Sequence, residues 1–141
     1  MDQARIEFEP FIEEGVRRVI VDGVDMHNVS VTAMPEYALV NFVLRGGRGD
    51  VVGGVLGLLW GRWLQVTYLW VSAQMRGKGY GTRLLLDAEN HARARDAVGA
   101  TLETYSFQAR PFYERLGYEL CGTIEDYPPG YAKFFLRKSL R

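Results

Sequence analysis

Alternating apolar and polar positions mark three consecutive strands in the middle of the chain. Segments 39–44, 51–60 and 63–71 combine this period of two with β-branched and aromatic residues. A glycine-rich turn at 46–50 separates the first two segments, and Gly61-Arg62 separates the second from the third. Connections this short join antiparallel neighbours, so the pattern predicts an antiparallel meander.

Two details of this meander bear on its geometry. Gly53, Gly54 and Gly57 interrupt the second strand. Interior glycines weaken a strand, so they predict a bulge or a close approach of two backbones. In the third strand the alternation places Val66, Tyr68 and Trp70 on one face and mostly Leu64, Thr67, Leu69 and Val71 on the other.

The N-terminal part of the chain is harder to interpret. Residues 5–9 are compatible with a short strand, and Pro10 suits the start of a helix that reaches about Val21. Residues 22–36 contain glycine, proline and short polar residues, which predict irregular or broken helical structure. A substrate loop is expected in this region, ahead of the sheet.

The second half of the chain alternates helices and strands. We predict a helix over 81–95, a strand over 100–105, a short helix over 109–116, and strands over 118–124 and 132–136. The apolar face of the long helix comprises Leu84, Leu85, Ala88 and Ala92. A strand, a helix and a strand in this order make a crossover unit with parallel strands. We therefore predict an α+β (α/β) fold with a mixed antiparallel and parallel sheet.

A glycine-rich turn joins the third strand to the long helix. Gly77, Gly79 and Gly81 leave its backbone N–H groups uncovered, and the positive end of the helix dipole points to the same place. The first helical turn carries no acidic residue, and Arg76 and Lys78 flank it. Cations at a helix N-terminus are favourable when an anion lies between them, so this turn predicts a phosphate site.

Two other phosphate-binding patterns do not match this turn. Lys78 is followed by Gly79 rather than by Ser or Thr, which excludes the Walker pattern. The spacing of the glycines also differs from that of dinucleotide-binding turns, and an antiparallel meander precedes them. A nucleotide-binding phosphotransferase is therefore disfavoured.

Composition narrows the class of protein further. The 141 residues suit one domain spanning 1–141, and Lys+Arg and Asp+Glu both number 17, which argues against a general nucleic-acid binder. Cys121 is the single cysteine and is interpreted as a buried, inert thiol in a cytoplasmic protein. No signal peptide and no membrane span are expected. His27 and His91 are isolated, so no metal site is predicted.

Two segments together resemble the GNAT family of N-acetyltransferases. Gln74-x-x-Gly77-x-Gly79 resembles the family's pyrophosphate loop, and Leu69-Trp70-Val71 resembles the apolar strand before it. Phe112-Tyr113-Glu114-Arg115-Leu116-Gly117-Tyr118 resembles its second signature. The resemblance implies a sheet of six to seven strands with flanking helices, and a parallel pair that splays apart at the cofactor cleft. It also implies acetyl-CoA as donor, direct transfer to an amine without a metal, and a possible homodimer.

The same resemblance assigns cofactor contacts. The turn would hold the pyrophosphate through its backbone, and the end of the third strand would pair with the pantetheine arm. One N–H there, that of Leu69 or Val71, would polarise the thioester carbonyl. The complete set of predicted contacts is Leu69, Trp70, Val71, Gln74, Met75, Arg76, Gly77, Lys78, Gly79, Tyr80, Gly81, Thr82, Gln108 and Phe112. Gln108 is alternatively a helix cap.

Catalytic and acceptor residues follow from the resemblance and from residue chemistry. Tyr113 is the candidate general acid for the thiolate, or else a core tyrosine that packs on the cofactor. Glu103, a carboxylate in an apolar strand, is the candidate base, or else an edge or solvent-facing carboxylate or a salt-bridge partner. Asp126 is a second carboxylate, in the proline-rich loop. The predicted acceptor contacts are Tyr105, Asp126 and Tyr131, and further candidate walls are Trp70, Phe107 and Tyr127. Tyr131 replaces a histidine found in similar loops.

The sequence leaves two classes of function open. One is an N-acetyltransferase acting on a primary amine of a small molecule or a protein. The other is a non-catalytic acyl-CoA-binding sensor or regulatory module, which would keep the cofactor turn without turnover. Tyr113 favours the enzyme. The sequence does not specify the acceptor.

Overall fold

The computed structural model describes residues 3–141. These form two compact units, the first ending at Glu36 and the second running from Tyr37 to Arg141. The assignment of one domain to residues 1–141 stays a prediction. The elements are α1 (Glu14–Thr32), β1 (Ala38–Arg45), β2 (Val51–Trp60), β3 (Trp63–Val71), α2 (Tyr80–Arg93), β4 (Gly99–Tyr105), α3 (Arg110–Arg115), β5 (Glu119–Glu125) and β6 (Ala132–Ser139).

The first unit differs from the sequence prediction. Residues 5–9 lie within the described chain and are not a strand, and α1 runs through the segment that was expected to be irregular. Apolar residues recur at helical spacing past Val21, and one interior glycine costs only about 1 kcal/mol. The helix ends where Ala33 takes a left-handed conformation (φ 54°) and donates its N–H to Val29 O.

The second unit is built on a six-stranded sheet in the order β1-β2-β3-β4-β6-β5. All neighbours are antiparallel except β3 and β4, which are parallel. This confirms the predicted mixed sheet. The helix α2 contacts β1, β2 and β3 through its apolar face, where Leu85 is fully buried. Burial of one such leucine side chain contributes about 2 kcal/mol.

A bulge in β3 redirects the side chains and opens the parallel pair. Leu56 pairs with Tyr68 and Gly57 pairs with Val66, so Thr67 is an extra residue on β3. Val66 is consequently buried while Tyr68 is exposed, and the prediction that they share a face is wrong. The pairing of β3 with β4 ends at Val66 and Leu102, directly before the bulge. The strands therefore separate from this point onward.

Glycines in β2 allow the close approach that the sequence predicted. A Cβ atom at Gly57 would lie 2.6 Å from Gln65 O, and one at Gly53 would lie 2.8 Å from Trp70 O. Either distance is too short for a real side chain, so glycine is required at both positions. Within residues 3–141 no helix is long and apolar enough to cross a membrane.

Candidate active site

The glycine turn is an uncovered stretch of main chain. It begins with a short 3-10 helix, Ala73–Met75, and then passes through Gly77 (φ 72°) and Gly79 (φ 83°). A Cβ atom at either glycine would have no heavy atom of the described chain within 4 Å. Gly79 is the N-cap of α2, and no side chain among the described residues caps it. The first amides of α2 are therefore free to bind an anion.

Basic side chains flank this turn, and one of them already has a partner. Arg76 and Lys78 are exposed. Arg76 Nε donates a hydrogen bond to Val71 O at 2.9 Å, which folds the side chain back onto the end of β3. The Arg83 guanidinium lies 5.9 Å from the centre of the Tyr80 ring. The turn is thus electropositive, and Arg76 is placed between it and the strand.

A cleft of about 500 Å³ lies where β3 and β4 diverge. Its lining includes Thr67 and Tyr68 from β3, Glu103 and Tyr105 from β4, and Gln108. This is the splayed pair that the resemblance implied. It brings together Glu103, the candidate base, Tyr105, a predicted acceptor contact, and Gln108, a predicted cofactor contact.

Successive backbone N–H groups at the end of β3 point alternately towards β2 and away from it. Ser72 N–H donates to Val52 O at 2.8 Å, on the β2 side. Because successive amides of a strand point to opposite neighbours, the N–H groups of Val71 and Leu69 point to the side on which β3 and β4 have separated. Val71 O points to the same side and accepts the Arg76 bond. An extended ligand in the cleft would meet these groups as it would meet a neighbouring strand.

Gln108 organises the end of β4. Its Oε1 accepts hydrogen bonds from Tyr105 N–H at 3.0 Å and from the Thr104 hydroxyl at 3.1 Å. Its interpretation as a helix cap is wrong, since among the described residues α3 has no side-chain cap. Its role as a cofactor contact stays a prediction.

The short helix α3 carries the candidate acid. Tyr113 and Phe112 are half-buried, pack against the core, and lie 5.1 Å apart between ring centres. Burial raises the pKa of the Tyr113 hydroxyl above its ordinary value of 10.0, so the group stays protonated at neutral pH. The Phe112 ring lies 3.5 Å from the position that a Cβ at Gly81 would take. The acid is thereby held beside the N-terminus of α2.

Glu103, the candidate base, is engaged in an ion pair. Its Oε2 lies 2.8 Å from Lys133 Nζ, and its side chain is 51% exposed. The sequence-based view of a carboxylate in a buried environment is therefore wrong, and the salt-bridge alternative describes what the structure contains. The hydrogen bond to Glu103 raises the pKa of Lys133.

Four aromatic residues form a cluster at this end of β4, and we call Tyr105, Phe107, Tyr127 and Tyr131 the aromatic cluster. The rings of Tyr105 and Phe107 are stacked at 5.4 Å, and Phe107 meets Tyr131 edge-on at 5.0 Å. Tyr127 lies 5.8 Å from Tyr105, and Lys133 Nζ lies 5.0 Å from the centre of its ring. Phe107 is 54% exposed and Tyr131 50% exposed. Exposed aromatic surface beside a cleft is typical of a binding site.

Asp126 and Cys121 lie outside this arrangement. Asp126 Oδ1 accepts a hydrogen bond from Gly130 N–H at 3.3 Å and so shapes the loop between β5 and β6. Its role as an acceptor contact stays a prediction. Cys121 is exposed and its Sγ donates to Phe135 O at 3.3 Å, so its interpretation as a buried thiol is wrong. Residues 3–141 contain no group of three His, Cys, Asp or Glu side chains that could hold a metal ion.

No sequence pattern predicted Lys133 as the partner of Glu103. Tyr105 of β4 pairs with Lys133 of β6, and this register brings the lysine beside Glu103. The pairing joins strands far apart along the chain, and no local pattern signals it.

Comparison with known proteins identifies the fold. The sequence model of the Acetyltransferase (GNAT) family matches residues 7–118. The chain belongs to this acetyltransferase family. It is 47% identical over 98 residues to blasticidin-S acetyltransferase of Streptomyces morookaense, covering 67% of this chain and 71% of that protein.

Solved structures agree with this assignment. An acetyltransferase from Bacillus cereus has 29% identity and a TM-score of 0.81, covering 94% of this chain and 97% of its own. A Bacillus anthracis protein described as a streptothricin acetyltransferase, solved in complex with acetyl coenzyme A, has 19% identity and a TM-score of 0.63. That alignment covers 74% of this chain and 63% of the other, and it shows the shared fold alone.

Proposed function

We propose that this acetyltransferase moves an acetyl group from acetyl-CoA directly to a primary amine of a small molecule. The observation that carries the proposal is the parallel strand pair that opens at the bulge and ends in an uncapped glycine turn. The free amides from Gly77 to Gly81 and the flanking Arg76 and Lys78 suit the pyrophosphate. The alternating groups of Leu69 and Val71 suit an extended pantetheine arm.

The chemistry needs one bond to form and one to break. The amine nitrogen attacks the thioester carbon, the carbon–sulfur bond breaks, and the amine loses a proton. Tyr113 donates a proton or a hydrogen bond to the leaving sulfur, and it suits this role because burial keeps its hydroxyl protonated. The N–H of Leu69 or Val71 stabilises the charge that develops on the carbonyl oxygen.

Glu103 is the candidate acceptor of the amine's proton, directly or through water. The carboxylate lines the cleft and is accessible to solvent. Lys133 Nζ lies 2.8 Å from the carboxylate, and this hydrogen bond fixes the orientation of the Glu103 side chain. A neutral amine is needed for attack, whereas a free alkyl amine has a pKa of about 10.4.

The acceptor is proposed to be an amine-bearing antibiotic. The similarity to a blasticidin-S acetyltransferase supports this class, and blasticidin S is the first acceptor to test. The aromatic cluster supports it as well, because exposed rings beside the cleft offer a surface for a small molecule with a flat or apolar part.

One observation favours a second candidate, the non-catalytic acyl-CoA-binding module. The Glu103 carboxylate already has Lys133 as a partner at 2.8 Å, and this contact competes with any contact between the carboxylate and an incoming amine. Such a protein would bind acetyl-CoA and release no free CoA.

The experiment that separates these candidates combines binding with product analysis. The purified protein is incubated with acetyl-CoA and blasticidin S, and in parallel with a panel of aminoglycosides, polyamines and N-terminal peptides. We expect acetylated blasticidin S by mass spectrometry and an equal amount of free thiol. Acetyl-CoA binding by calorimetry without any acetylated product across the panel would favour the sensor. Absence of acetyl-CoA binding would contradict both.

A further inference from the structure

A buried carboxylate on α2 has no part in the proposed acetyl transfer. The Glu89 side chain is 0% exposed. Its Oε1 accepts a hydrogen bond from Lys138 Nζ at 2.6 Å, and its Oε2 accepts one from the Tyr118 hydroxyl at 2.9 Å. The Arg93 guanidinium lies 3.8 Å from Oε1. Both carboxylate oxygens are therefore engaged inside the core.

These contacts connect three segments of the second unit. Glu89 belongs to α2, which begins at the glycine turn, and Lys138 belongs to β6. Tyr118 lies between α3 and β5, only a few residues after the candidate acid Tyr113. One side chain thus links the helix of the donor site to the segment that carries the acid.

Aromatic rings continue this link back to the start of α2. The Tyr118 ring meets the Tyr113 ring edge-on at 5.9 Å, and Tyr118 N–H donates to Tyr113 O at 3.1 Å. Tyr113 meets Phe112 at 5.1 Å, and Phe112 lies beside Gly81. A closed path therefore runs from the first turn of α2 through three aromatic rings and returns to the same helix at Glu89.

Stability is a weak explanation for this arrangement. Burying a charged carboxylate costs free energy, and a well-packed apolar side chain at such a position is often as stable or more stable. The buried carboxylate instead fixes the orientation of the side chains that donate to it, since each hydrogen bond requires a specific donor geometry. Burial and the adjacent Glu89 raise the pKa of Tyr118, so its hydroxyl stays protonated and can donate to the carboxylate.

We propose that Glu89 is a positioning residue, which acts through Tyr118 to fix the Tyr113 ring relative to the glycine turn. The inference rests on the proposed function, because Tyr113 is the acid of that function. Glu89 makes no contact with either substrate in this proposal. Its effect is on the distance and angle between the Tyr113 hydroxyl and the leaving sulfur.

The test uses Tyr118→Phe, which keeps the ring and removes the hydrogen bond to Glu89. We expect kcat for acetylation to fall about tenfold, because small misplacements of a catalytic group are costly. The KM for acetyl-CoA should change less than about twofold, since the turn itself is unaltered. Tyr37→Phe, which removes the hydroxyl of an exposed tyrosine, is the matched control and should leave both values unchanged.

A second variant keeps the test decisive if Tyr118→Phe folds poorly. The triple variant Glu89→Leu, Tyr118→Phe and Lys138→Met replaces the polar contacts with apolar packing. We expect its thermal midpoint to equal or exceed that of the parent, and its kcat to fall as in Tyr118→Phe. A parental kcat in a stably folded triple variant would overturn the proposal. So would a rise in the KM for acetyl-CoA as large as the loss of kcat.

A structural readout separates this inference from the proposed function. In crystals of Tyr118→Phe we expect the Tyr113 hydroxyl to lie about 1 Å from its position in the parent, or the Tyr113 ring to occupy more than one orientation. Either change is large enough to reduce catalysis. An unmoved Tyr113 contradicts the positioning role even if the parent acetylates no amine. An inactive parent contradicts the proposed function and leaves the crystallographic result interpretable.

Discussion

The proposed donor and acceptor sides of the cleft are built from different parts of the chain. The donor side consists mostly of main chain, with glycines at positive φ, uncapped helix amides and strand amides beyond the end of the β3–β4 pairing. The acceptor side consists of side chains, namely the aromatic cluster and the ion pair of Glu103 with Lys133. Main-chain recognition depends on conformation, whereas side-chain recognition depends on residue identity. Acceptor choice can therefore change by substitution while the donor site persists.

The largest effect is expected at Tyr113, the candidate general acid. Tyr113→Phe removes the hydroxyl proposed to serve the leaving sulfur, and we expect kcat to fall about 100-fold, as is usual for loss of a general acid. The dissociation constant of acetyl-CoA should change by less than about threefold, because the proposed pyrophosphate contacts lie in the glycine turn and do not involve the Tyr113 hydroxyl. Stopped-flow thiol release and calorimetry measure the two quantities.

The pH dependence of the parent tests the same residue. A hydroxyl with a raised pKa is the protonated acid at every pH below its ordinary value of 10.0. Deprotonation of Tyr113 should therefore cause no fall in the acetylation rate between pH 7 and about pH 9.5. A Tyr113→Phe enzyme as fast as the parent across that range would remove the acid role.

A smaller effect is expected for the main chain of the donor side. Gly79→Val forces a β-branched residue into φ 83° and places a side chain where the anion would bind. We expect the dissociation constant of acetyl-CoA to rise about 50-fold, or about 2.3 kcal/mol. Gly47→Val is the control, because Gly47 lies in the hairpin turn with open space around its Cβ position. Equal affinities of Gly79→Val and the parent would contradict the assignment of the turn.

The two sides also differ in how far the sequence predicted them. The bounds of β2 and β3 were predicted correctly because a glycine-rich hairpin and Gly61-Arg62 punctuate a clear period of two. The glycine turn was predictable because it is local, a strand followed by glycines and an apolar-faced helix. The bulge at Thr67 was not, because a bulge is a property of two paired strands rather than of one.

The side-chain contacts of the site were less predictable for the same reason. Lys133 reaches Glu103 through the register of β4 with β6, which no local pattern specifies. Glu89 did have a local signal, since it lies four residues after Leu85 in the apolar face of α2. A charged residue at such a position indicates a buried partner. The length of α1 was missed because its glycine and short polar residues were given more weight than the helical periodicity of its apolar residues.

The smallest effect is expected on the acceptor side. It tests most directly whether the donor and acceptor sides are separate binding surfaces. Phe107→Ala removes an exposed ring that stacks on Tyr105 and meets Tyr131. We expect the KM for blasticidin S to rise about tenfold, or about 1.4 kcal/mol, a usual size for the loss of one aromatic contact. The KM for acetyl-CoA should stay at the parental value, as measured by thiol release with each substrate varied in turn.

The control for this variant is Trp60→Ala, which removes a partly exposed aromatic side chain at the β2–β3 turn. That turn lies at the opposite end of β3 from the glycine turn, so both KM values should remain parental. If Phe107→Ala weakened acetyl-CoA as much as the acceptor, the two sides would share one binding surface. The division between a main-chain donor site and a side-chain acceptor site would then be wrong, and substitutions that change the acceptor would also carry a cost in donor affinity.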